Sequence, residues 1–98
     1  MFKSIILKLA KQDISDAADW YNSKQKGLGQ RFTKEVRSVV KFICKNPKAF
    51  VIRYDDTHCA ILKVFPFMVH YTIDESNKTI IIVAVFHTSM NPDNWKKR

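Results

Sequence analysis

The chain has 98 residues, 46% of them apolar, with 17 Lys+Arg against 9 Asp+Glu and a formal net charge of +8. That length holds one domain (1–98) without a second core, and the apolar content excludes a disordered chain. The longest apolar run, Ile80 to Phe86, falls far short of the roughly 20 residues of a membrane helix. The run Ile5-Ile6-Leu7 ends at Lys8, too short for a signal peptide, so a cytoplasmic protein without membrane contact is expected. Cys44 and Cys59 form no CxxC and have no His at zinc-finger spacing, so they read as buried free thiols. Ile and Val number 18 against 4 Leu, which points to a sheet carrying much of the core.

Residues 2–9 read as a strand. Residues 11–24 switch to helical spacing, with Ile14, Ala17, Ala18 and Tyr21 on one side and Asp13, Asp16 and Asp19 opposite. Asp13 in the first turn also suits the helix dipole. Gly27 and Gly29 break this helix and allow a tight reversal. A second helix over about 28–45 carries an apolar stripe of Phe32, Val36, Val39, Val40 and Ile43. Its other side is a cationic stripe of Lys34, Arg37, Lys41 and Lys45, and Asn46-Pro47 ends it. Residues 24–48 hold eight cations and one anion, Glu35.

From Phe50 the period becomes two, with strands expected at about 50–54, 58–65, 67–73 and 79–87. The last is apolar on both faces and therefore interior, while Pro66 marks a bend. The order is βααββββ: an α+β fold of two layers, with an N-terminal strand and an antiparallel helical hairpin packed on a mainly antiparallel β-sheet.

No metal or cofactor is expected. His58 and Cys59 are adjacent in a strand and point to opposite faces, and GLGQR lacks a P-loop lysine. The acidic residues fall in turns or on an outer helix face, which argues against a paired-carboxylate hydrolase. Lys63 and His87 stand at strand ends, and His70-Tyr71 are consecutive, so only one of that pair faces the core. Such groups suit RNA cleavage, where a base takes the 2′-hydroxyl proton and cations stabilise the phosphorane; each equally suits a structural role. The basic helix face Lys34, Arg37, Lys41 and Lys45 reads either as a solvated face or as an attractor of phosphate or acidic protein. In the tail, Trp95 precedes Lys96, Lys97 and Arg98, and it either docks on the domain edge or anchors a partner.

The ordered set ADWYNSKQKGLGQRF, NPKAF…RY, LKVFPFMVHYTID and IIIVAVFHTSMNPDNWKKR resembles the RelE/ParE superfamily of bacterial type II toxins. The resemblance spans about residues 3–96. It implies a toxin encoded beside an antitoxin whose tail wraps it as helix and strand, an acidic segment being expected there, and whose complex forms a toxin–antitoxin hetero-oligomer. The long hairpin and the NPxxW ending look ParE-like, which implies a plasmid-stabilization toxin that targets DNA gyrase without catalysis. The contacts expected are Arg53, Lys63, His87, Trp95, Lys96, Lys97 and Arg98. The alternative is a RelE-like nuclease cutting mRNA on the ribosome, with Lys63, His70, Tyr71 and His87 as catalytic groups. Against it, no tyrosine follows Tyr71, where such nucleases commonly carry one near the C-terminus. Met90 stands where relatives usually have Arg, and Lys63 where they often do. A third reading follows: a non-toxic binding protein retaining the fold.

Overall fold

The computed structural model describes residues 1–97. In chain order it contains β1 (Lys3–Ile6), α1 (Lys8–Lys24), α2 (Leu28–Lys45), β2 (Ile52–Tyr54), β3 (Thr57–Ile61), β4 (Phe67–Asp74), β5 (Thr79–His87) and a 3-10 segment, Pro92–Lys97. The sheet order is β1-β5-β4-β3-β2, with β1 parallel to β5 and every other pair antiparallel. The α+β class and the βααββββ order are as expected, and β5 lies inside the sheet.

The first strand is shorter than expected because Leu7 ends it and starts the helix. Its N–H donates to the Ile82 carbonyl (3.0 Å), while its own carbonyl accepts from Lys11 N–H (2.9 Å). Helix α1 therefore begins at Lys8, and Asp13 leaves the first turn. Asp13 does not share the solvent face of Asp16 and Asp19; its Oδ2 accepts the Val85 N–H of β5 at 3.0 Å.

The hairpin turns at Gly27, whose φ of +85° lies in the left-handed region. Gly29 does not break a helix. It is buried inside α2, its N–H donates to Asn22 Oδ1 (2.7 Å), and a Cβ there would collide with the Ala18 carbonyl and the Asn22 side chain. The helices thus cross at nearly backbone contact. Phe32, Val36, Val40 and Ile43 of α2 are buried against Ala60, Val69, Tyr71, Ile80, Ile82 and Val85 of the sheet. Phe32 packs against the rings of Tyr21, Phe65 and Phe67 at centroid distances of 5.5, 5.4 and 4.9 Å.

Strand β3 stops at Ile61, so Lys63 lies in a loop and not at a strand end. Glu35 holds that loop to α2: its carboxylate accepts Lys63 N–H (2.6 Å) and Val64 N–H (3.2 Å). The lone anion of the cationic segment is thereby used to satisfy backbone donors. In β5 the register slips, with His70 opposite Ala84 and Tyr71 opposite Ile82, so Val83 is a bulge. The extra residue reverses the side-chain alternation. Ile80 and Ile82 face the helices before it, and Val85 does so after it.

The opposite face of the sheet is covered too, which the two-layer expectation omitted. Cys59, Met68, Ala84, Phe86 and Trp95 form a second buried cluster, joined by the partly buried Tyr54, Val83 and Met90. The C-terminal segment is its lid.

Candidate functional site

The expected contact residues separate into two groups. Lys63 and His87 lie at one end of the sheet, where the β3–β4 loop meets the last residue of β5, and Phe67 is the register partner of His87. Through the bulge, His87 arrives on the helical side of the sheet, where it lines a cleft with Ala17, Trp20, Tyr21, Pro66 and Phe67. Trp20 is 57% exposed there, with Lys24 Nζ 5.1 Å from its ring centroid. Nothing in the helical periodicity singled Trp20 out; its exposure depends on where α1 crosses the sheet.

The second group surrounds the C-terminal segment. The Arg53 guanidinium sits 5.6 Å from the Trp95 centroid, and Lys96 Nζ lies 3.4 Å from Asp55 Oδ1. Arg53, Lys96 and Lys97 are exposed, whereas Trp95 is only 7% exposed, packed on Tyr54 (5.2 Å) and His70 (4.9 Å). Trp95 therefore docks the tail and presents almost no surface to a partner. Arg98 lies outside the described residues. Met90, half-buried against this cluster, packs where a guanidinium would have to reach solvent.

The four candidate catalytic groups do not converge. His70 is fully buried on the outer face, with Nδ1 3.0 Å from Tyr54 Oη and 3.5 Å from Cys59 Sγ. Tyr71 is fully buried on the other face, its hydroxyl donating to the Pro47 carbonyl at 2.7 Å. Burial pushes the Tyr71 phenol up to about 12, and it pushes the Cys59 thiol up to about 11 despite the charge of Arg53. Both groups are held in their protonated, unreactive forms.

His87 is exposed, but its Nδ1 accepts the Ser89 backbone N–H (3.0 Å), with the Ser89 hydroxyl 2.7 Å away. A backbone N–H can only donate, so the neutral ring carries its proton on Nε2. Accepting a proton at Nε2 would first require one on Nδ1, facing that N–H. His87 is thus set as a hydrogen-bond donor and is a poor general base.

Among the described residues no three His, Cys, Asp or Glu side chains gather as metal ligands. Among them too, no helix is long and apolar enough to cross a membrane. The cationic stripe Lys34, Arg37, Lys41 and Lys45 is exposed along α2.

Comparison with known proteins adds to this geometry. The sequence pattern of the family described as "ParE toxin of type II toxin-antitoxin system, parDE" matches residues 5–92. No curated protein matches the sequence significantly. The fold is similar to that in the E. coli RelBE toxin–antitoxin complex, at TM-score 0.69 and 11% identity over 93% of this chain and 100% of that one. It is similar to the chromosomal ParDE system of P. aeruginosa, at TM-score 0.68 and 17% identity over 91% and 98%. The RelBE2 toxin–antitoxin complex of Mycobacterium tuberculosis gives TM-score 0.61 and 16% identity over 88% and 96%.

Proposed function

The chain belongs to the ParE family of type II toxin–antitoxin toxins, and from that membership we propose that it arrests growth by binding DNA gyrase, not by cutting mRNA. The observation that carries this reading is the dispersal of the candidate catalytic groups. His70 and Tyr71 are buried on opposite faces, and His87 is held as a donor. A protein that acts by contact needs none of them to converge. It needs exposed, fixed cations and an apolar anchor, and it has them in Lys63, His87 and Trp20 at the open end of the sheet. Arg53, Lys96 and Lys97 offer a second contact on the outer face. A cognate antitoxin with an acidic segment holds the toxin inactive in a hetero-oligomer; the solved RelBE and ParDE relatives, crystallised or described as toxin–antitoxin systems, support that partner.

The test is induced expression with and without the adjacent reading frame, followed by assays on the purified protein. Growth arrest relieved by the neighbour, inhibited supercoiling by gyrase and intact mRNA are the expected results. Shortened translated mRNA with unaffected gyrase would establish the nuclease. Normal growth at confirmed expression, with arrest only in Met90→Arg, would identify a fold that has lost toxicity at that position.

A further inference from the structure

A groove runs between α2, the start of α1 and edge strand β1, with a volume of about 370 Å³. Its floor is aliphatic: Ile6, Ile14, Val36 and Val40. Lys11, Arg37 and Lys41 line its rim, no carboxylate does, and none of the three cations forms a salt bridge among the described residues. Val36 and Val40 are one helical turn apart, as are Arg37 and Lys41, so apolar and cationic positions repeat together about every 5–6 Å along α2.

We propose that this groove is the docking site for an acidic amphipathic segment of the antitoxin, aliphatic side chains seated on the floor and carboxylates paired with Lys11, Arg37 and Lys41. The inference rests on the toxin–antitoxin reading and adds the place and the chemistry of the contact. Nucleic acid would use the cations, but phosphates gain nothing from an aliphatic floor. An apolar segment without acids would leave three cations desolvated at the rim. An amphipathic acidic segment satisfies both halves of the groove. It also explains why the positive charge of α2 continues onto α1 at Lys11 instead of ending with the helix.

The experiment compares Arg37→Glu/Lys41→Glu, Lys11→Glu and the milder Arg37→Gln/Lys41→Gln with the control Lys96→Glu/Lys97→Glu on the far side of the sheet. Circular dichroism confirms the fold of each. Calorimetric titration then measures binding of the purified product of the adjacent reading frame, and hydrogen exchange maps its footprint. Docking in the groove predicts at least about a tenfold loss of affinity for the double Glu variant, with smaller losses for Lys11→Glu and the Gln variant. The control keeps wild-type affinity, and the Val36–Lys41 amides gain protection. Unchanged affinity across the groove variants, with the footprint elsewhere, overturns the groove while leaving the toxin–antitoxin reading intact. If antitoxin binding is unchanged but the same variants lose affinity for a 20-base-pair DNA duplex, with a weakened salt dependence, the face is a nucleic-acid surface and the proposal fails. If the wild-type toxin does not bind the neighbour's product at all, the partner reading falls and this occupant with it.

Discussion

At the level of single residues, His70 and Tyr71 show how two adjacent titratable groups can be placed beyond reach of solvent on opposite faces of one strand. Tyr71 stacks on His58 at 4.9 Å, and His58 Nδ1 donates to the Phe50 carbonyl at 2.6 Å. Together with the Tyr71–Pro47 bond, these two rings pin the α2–β2 connection to the sheet. Tyr71→Phe should therefore cost about 1–2 kcal/mol at neutral pH by leaving the Pro47 carbonyl unpaired. The pH dependence has a definite sign. In the unfolded chain the Tyr71 phenol and the Cys59 thiol lose protons near their ordinary values of 10.0 and 9.0, but in the fold only near 12 and 11. Above pH 9 the unfolded state binds fewer protons, so stability falls as pH rises through that window. Melting temperatures at pH 8, 10 and 11 should decline for the wild type and less steeply for Tyr71→Phe; equal slopes would show that Tyr71 is not the group responsible.

Between elements, the decisive contacts come from residues that read as ordinary. Gly29 permits the close crossing of α1 and α2, whereas Gly27 supplies only the turn. Gly29→Ala should destabilise by about 1–3 kcal/mol through overpacking against the Ala18 carbonyl. Gly27→Ala should cost about 1 kcal/mol, from its positive φ alone, since nothing lies within 4 Å of a Cβ there. Urea unfolding of the two variants gives the comparison, and a larger loss at Gly27 would refute this account of the hairpin. The amphipathic stripe of α2 was legible because burial of one helix side imposes a 3.6-residue period. The roles of Asp13 and Glu35 were not. Each carboxylate serves backbone N–H groups of a distant segment, and that leaves no trace in local spacing.

Across the whole molecule, the sheet is covered by the hairpin on one face and by its own C-terminus on the other. Trp95 holds that cover in place over Cys59, Met68 and Phe86. Trp95→Ala should undock the segment without unfolding the domain, because the hairpin core lies on the other side of the sheet. Thiol labelling is the sensitive readout: Cys59 should become reactive while Cys44, in the main core, stays protected. Equal protection of both thiols in the variant would mean that the segment is not the lid. The two groups of proposed target contacts sit on either side of this arrangement, Lys63 and His87 at the end of the sheet, Arg53 and Lys96 beside the lid.

By itself the sequence determined the α+β class, the order of elements, the interior strand and the cationic helix face. Each of these follows from local periodicity, turn residues and charge, which burial and solvation write into neighbouring positions. The family, too, was legible, from motifs spread over nearly the whole chain. Only the tertiary structure decided which face each titratable residue meets. One bulge at Val83 reverses the alternation of β5 and carries His87 to the helical side, and no pattern in a strand apolar on both faces records where that extra residue falls. The burial of Trp95, the loop held by Glu35 and the groove beside β1 depend likewise on packing between segments distant in sequence, where the energy resides in the contact and not in any local pattern.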